Sequence, residues 1–246
     1  MTGLVRAWLR LLALQGAWNY QRMQGIGAGW AAEPLLEPLR ASDPERHRGA
    51  VARSAAFFNA HPYLAGLAVG AAARAELDGA PPEQVARLRT VLGTPLGALG
   101  DQLFWAGLLP IAAAAAIIGT TLGAGTVAVP GAVAVYASAR LWTTHWALRT
   151  GLAHGALVGR ALGASWLPRA VPRVAALAAL ALGAALPLAV RWYLSGLPMP
   201  LRLGAAVVGV AVAGVVLGRL AGPRVSALRF GLGAAALTLL FRWVTA

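Results

Sequence analysis

Apolar residues dominate this chain, but they are grouped differently before and after residue 100. In residues 4–24, Trp8, Leu11, Leu12 and Gln15 recur at three- and four-residue spacing, which predicts an amphipathic helix. The polar segment from Glu33-Pro34 to Asp43-Pro44 carries three prolines and reads as a connector with at most short helices. Helices follow at 44–60 and 64–77, then a loop over Asp78-Gly79-Ala80-Pro81-Pro82 and a short helix to about Leu92. Gly93, Pro95, Gly97 and Gly100 then punctuate the approach to Asp101. Beyond it lie long apolar runs at 103–118, 121–139, 171–190, 204–218 and 228–244, candidates for membrane segments of roughly 20 residues. The first and fourth are short, so flanking residues or a re-entrant path would complete them.

The predicted fold class is an all-α integral membrane protein, with amphipathic N-terminal helices followed by about five membrane or re-entrant helices. Four regions are expected. Residues 1–43 form an arm helix and connector, and 44–139 a core with a helix corner, a Gly-rich re-entrant segment and a first membrane hairpin. Residues 140–170 form an Arg-rich connector, and 171–246 the C-terminal membrane helices.

Composition supports the membrane reading. Of 246 residues, 59% are hydrophobic and only 12% charged, outside the range of ordinary soluble domains. All 21 basic residues are Arg, giving a net charge of +13. A nucleic-acid binder would concentrate that charge in one stripe, whereas here Arg residues flank apolar runs. All eight acids lie in residues 1–101, while 102–246 holds eleven Arg and no acid. Arg140, Arg149, Arg160 and Arg169, with Arg173 at the end, make the 140–170 connector cytoplasmic by the positive-inside rule. The polar N-terminal region then shares that side, and the C-terminus is external. With no Cys, disulfides and thiolate chemistry are excluded. Four scattered histidines argue for no metal, and no phosphate loop, HExxH or serine elbow is present.

Three clusters carry candidate chemistry. Gln15-Gly16-Ala17-Trp18-Asn19-Tyr20-Gln21-Arg22-Met23-Gln24 sets amides beside aromatics, which suits a sugar's hydroxyls and C–H face, or equally an interfacial aromatic belt. In Phe57-Phe58-Asn59-Ala60-His61-Pro62-Tyr63, Pro62 turns the chain and leaves Asn59 and His61 at a helix corner, facing a cavity or bonding backbone. Thr94 to Trp105 leads to Asp101 and Gln102, where an acid beside an apolar segment is either a functional group or a helix N-cap.

In this order, the clusters resemble the IID component of the mannose/fructose/sorbose family of the bacterial phosphoenolpyruvate-dependent sugar phosphotransferase system (PTS). The family pattern reads Q-G-x-W-N-x-E-R-M-Q-x-x-G, then F-F-N-T-H/Q-P-Y/F, then G-P-L-A-G-x-G-D-x-x-F-W. Gln15–Gly27, Phe57–Tyr63 and Thr94–Trp105 are the matching stretches, and Glu76 falls where the family has an acid.

The resemblance implies a multi-pass protein of the bacterial cytoplasmic membrane. It would be a transport subunit without catalysis or cofactor of its own, paired with a IIC subunit to carry a hexose. Cytoplasmic IIA and IIB proteins would relay the phosphoryl group, and IIC–IID pairs would assemble as trimers. The implied sugar-contacting residues are Trp18, Asn19, Asn59, His61, Asp101 and Gln102. Gln21 stands where the family has Glu, and Leu109 where it often has Arg, with Ala106, Gly107 and Thr94 also altered. The paired loss suggests an ion pair exchanged for a neutral contact. The alternative is a non-transporting scaffold or regulatory protein that keeps the fold.

Overall fold

The computed structural model describes residues 3–196, together with Leu201, Gly209, Val212, Ala213 and Val216. The expected segments 204–218 and 228–244 and the external C-terminus therefore lie outside the described residues, apart from those isolated positions. The chain divides into two compact units, Met1–Ala185 and Leu186–Ala246.

In the first unit, α1 (Gly3–Leu12) buries Ala7 and Leu11 and stops well short of residue 24. It docks on α2 (Gly25–Ser42). The prolines expected to break residues 33–44 sit inside α2, which is a single 18-residue helix. Pro34 cannot donate to the carbonyl of Trp30, which would normally cost the helix a bond. Arg10 of α1 fills that vacancy: its Nη1 donates to Trp30 O at 2.7 Å and to Glu33 Oε2 at 2.6 Å, and its guanidinium lies 5.0 Å from the Trp30 ring. Arg10 is thus the clasp between α1 and α2.

Asp43 accepts from the Arg46 N–H and caps α3 (Pro44–Ser54), which ends six residues before the predicted boundary at 60. α4 (Ala65–Leu77) matches the predicted helix and is the buried centre of the unit. It packs against α7 (Gly125–His154), with Gly66 and Gly70 against the Leu148–Leu152 backbone and Gly151 against Leu67. A Cβ at any of the three would meet backbone, so their absence permits close helix contact. Glu76 of α4 is 1% exposed and receives two hydrogen bonds from Arg53, at 2.8 and 2.9 Å, with Arg46 3.7 Å away.

α5 (Pro82–Gly100) runs through the glycines and Pro95 that were expected to break it. It continues into a wide-turn π segment, Asp101–Leu108, and then α6 (Leu109–Gly119). Glycine weakens a helix by only about 1 kcal/mol relative to Ala, so packed surroundings can override the punctuation. The Gly-rich re-entrant break is therefore absent among the described residues. A second π segment, Thr120–Ala124, contains Gly123 at φ +89°, where the chain reverses into α7. α6 and α7 are thus joined as a helical pair, and α7 runs on through Arg140 to His154. At 30 residues it is about 45 Å long, more than a bilayer core requires. Its C-terminal half is claimed by α4, so much of the expected 140–170 connector is helix. Arg140 Nη2 donates to Leu12 O at 2.8 Å, closing the end of α1, and its guanidinium lies 5.0 Å from the Tyr63 ring.

α8 (Val158–Ala164) and α9 (Leu167–Ser195) complete the described helices. Two helical stretches, Pro82–Ala164 and Leu167–Tyr193, are long and apolar enough to cross a membrane. Ile117, Leu122, Val127, Val133 and Val135 of the hairpin are exposed, as lipid-facing or partner-facing side chains would be. In the second unit the described end of α9 exposes Leu186, Val190, Trp192 and Tyr193.

Candidate functional site

Residues 13–24, expected as helix, form a 3-10 turn (Leu14–Ala17) and then a reversal shaped by Asn19. The Asn19 Oδ1 accepts from the N–H groups of Gln21 and Arg22 at 3.1 and 2.9 Å, and its Nδ2 donates to Ala17 O at 3.3 Å. Asn favours such turns because its short amide imitates a backbone turn. Met23, at φ +51°, then bridges both Asn19 and Phe58. Gln24 completes the join. It is 3% exposed, its Nε2 donates to Ala60 O at 2.7 Å, and its Oε1 accepts from Ala60 N at 3.3 Å. The first two sequence clusters are thereby fastened to each other, with Ala60 held between Asn59 and His61.

The third cluster supplies the opposite wall. Thr90, Thr94, Gly97, Asp101 and Trp105 follow at spacings of four, three, four and four, so they share one face of the α5–π helix. Between these walls lies a cavity of about 550 Å³, bordered also by Gln15, Trp18, Gln24, residues 57–61, Arg89 and Gly93. That volume is in the range of small-ligand pockets.

His61 is 1% exposed and lies among three aromatic rings, stacked on Phe104 at 5.3 Å with Tyr63 at 4.8 Å and Trp105 at 5.0 Å. Gly100 allows this placement, because a Cβ there would overlap the His61 Cβ. The Tyr63 N–H donates to His61 Nδ1 at 3.3 Å, which assigns the neutral ring's proton to Nε2. That Nε2 is buried without a partner among the described residues. Burial lowers the His61 pKa to about 4, so the ring is a neutral donor at physiological pH.

Arg89 is the cation of the cavity. It is 5% exposed, with Nη1 donating to Arg53 O and Nη2 to Ser54 O at 2.8 Å and Ala56 O at 3.4 Å. Carbonyls at and just beyond the C-terminus of α3 thus receive a guanidinium, a placement that the helix dipole favours. The ring of Phe58 lies 5.4 Å from it. Asp101 faces the cavity from within a helix. It neither caps that helix nor pairs with any described residue, contrary to the capping alternative.

Of the six sequence candidates, Trp18, Asn59, His61 and Asp101 border the cavity, whereas Asn19 and Gln102 do not. Asn19 is committed to its turn, and Gln102 is exposed on another face of the π segment. Arg89 and Thr90 were missed. The i, i+4, i+7, i+11 spacing from Thr90 to Asp101 was visible, but only to a reading that kept the glycine-rich stretch helical. Gln21 and Leu109 are both exposed and neither borders the cavity, so their exchange leaves the cavity's charge unchanged. The described residues contain no cluster of three His, Cys, Asp or Glu able to hold a metal ion.

A predominantly helical set of described residues without a strand, and two helical stretches long and apolar enough to cross a membrane, define a helical membrane protein. Residues 2–206 match the model of the PTS system mannose/fructose/sorbose family IID component, and the chain belongs to that family. The PTS system mannose-specific EIID component of Escherichia coli (strain K12) is 27% identical over 188 residues, covering 72% of this chain and 64% of the relative. The fructose permease IID component of Bacillus subtilis (strain 168) is 27% identical over 117 residues, or 46% of this chain and 41% of the relative. This chain therefore matches less than two thirds of the length of these relatives. The fold is shared with a chain from the cryoEM structure of mannose transporter ManYZ in complex with microcin E492, at TM-score 0.58 and 23% identity over 75% of this chain and 69% of that one. A second structure, described as a membrane protein, gives TM-score 0.66 at 22% identity with the same coverages.

Proposed function

We propose that this chain is the IID subunit of a mannose-family sugar permease in the bacterial cytoplasmic membrane, paired with a IIC subunit. The observation that carries this reading is the convergence of all three family motifs on one cavity. Trp18 and Trp105 offer ring faces to a pyranose, and Asn59, Gln15 and Thr94 offer neutral hydroxyl partners. His61 Nε2–H supplies an unpaired donor, and Asp101 supplies a carboxylate acceptor. Hydrogen bonds from sugar hydroxyls to a carboxylate are about twice as strong as neutral ones, which suits Asp101 to orient the substrate. Nothing in this set is placed to attack a bond. Phosphorylation falls to IIB, supplied by IIA, and the IID chain contributes binding and passage. Pairs of IIC and IID form the trimer, with residues 1–100 and 140–170 on the cytoplasmic side.

The test is hexose affinity of the co-purified IIC–IID pair carrying Asp101→Asn. Affinity is expected to fall at least 10-fold while the pair still assembles. Because Asp101 caps no helix, Asp101→Ala is expected to assemble equally well. Unchanged affinity in both variants would remove Asp101 from the site and leave a scaffold that does not transport.

A further inference from the structure

We infer that the Arg169–Arg173 face of α9 is a binding site for the phosphate of an anionic phospholipid. This rests on the membrane reading of the fold but not on sugar transport. The two arginines are four residues apart and both exposed, so they project from one side of the helix. Together with Trp166, Ala170 and Val174 they border a cavity of about 340 Å³. Neither makes a hydrogen bond or ion pair with a described residue, and the sequence holds no acid after Asp101 that could neutralise them. Two unpaired guanidiniums at one opening call for an anion from outside the chain, and phosphate oxygens match their fork geometry.

The depth is set by neighbouring groups. The apolar stretch Leu167–Tyr193 begins here, so Arg169 and Arg173 stand at the end of a membrane-capable helix. Trp166 lies 5.3 Å from both Trp142 and Trp146 in tilted contacts, forming an aromatic cluster of the kind found at headgroup level. Continuing along the same face, Leu177 and Leu180 are 55% and 72% exposed. Cations followed by bare aliphatic side chains reproduce the order of a phospholipid, headgroup first and acyl chain after. A free phosphate would use only the first half of that surface.

The full chain, alone or co-purified with its IIC partner, is titrated in neutral detergent with phosphatidylglycerol and phosphatidylcholine, and bound lipid is counted by native mass spectrometry. One phosphatidylglycerol is expected to bind with a preference of roughly 30-fold over phosphatidylcholine, from two arginines near the headgroup. Arg169→Gln with Arg173→Gln should abolish the preference, while Arg6→Gln with Arg87→Gln, an equal charge change elsewhere, should keep it. Equal loss in both double variants, retained preference in the first, or equally tight binding of water-soluble glycerol phosphate would each overturn the assignment. The measurement needs no sugar, so it fails separately from the transport proposal.

Discussion

Acidification should destabilise this protein through His61. The ring is neutral in the folded state because its burial lowers the pKa to about 4, against 6.5 for an exposed histidine. The unfolded chain therefore takes up a proton at a pH where the folded chain refuses it, and stability must fall as pH falls. The contribution is fully present above pH 6.5 and is lost progressively down to pH 4. At 1.36 kcal/mol per pH unit, the total is about 3 kcal/mol. Denaturant unfolding in detergent at pH 7.5, 6.5, 5.5 and 4.5, compared between the wild type and His61→Gln, isolates this term because carboxylates titrate in both. The stability difference should move against the wild type by about 1.4 kcal/mol per unit below pH 6.5. Parallel pH profiles would refute the account of a buried neutral imidazole. The same pair of variants separates stability from binding. Gln retains an N–H donor and should preserve hexose affinity, whereas His61→Phe should lose it about 10-fold, the value of one hydrogen bond.

Three further outcomes are expected. Glu76→Gln leaves Arg53 and Arg46 facing a buried neutral amide and should destabilise the chain by about 3 kcal/mol, read from the denaturant midpoint. Gly100→Ala pushes a methyl group into His61 and should cost about 1–3 kcal/mol of stability, with hexose affinity falling as the ring is displaced. A Cys at the exposed Ala164 should react with a membrane-impermeant maleimide in inverted vesicles but not in intact cells, and labelling in intact cells would reverse the proposed topology.

The linear pattern of this chain determined its broad physics. Its long apolar runs pointed to a helical membrane protein, because a segment of roughly 20 apolar residues can span a bilayer only if its backbone bonds are satisfied within itself. The hairpin near residue 120, helix 65–77 and the turn at 78–82 were legible because each rests on local pattern or a turn signal. Trp18, Asn59, His61 and Asp101, which border the cavity, were singled out for a different reason, since they stand in three motifs whose order resembles one family. Tertiary packing decided the rest. Whether Pro34 breaks a helix depends on Arg10, 24 residues earlier, offering its guanidinium to the freed Trp30 carbonyl. Whether the glycines before Asp101 end a helix depends on the loop at 57–61 that packs against them and gains His61 in the gap at Gly100. Arg89 is held at the cavity because α3 ends beside it and its terminal carbonyls accept from the guanidinium, a meeting across more than 30 residues of chain. Local propensities of about 1 kcal/mol per residue set the expectations, and long-range bonds to otherwise unsatisfied buried groups, worth as much or more apiece, overrode them.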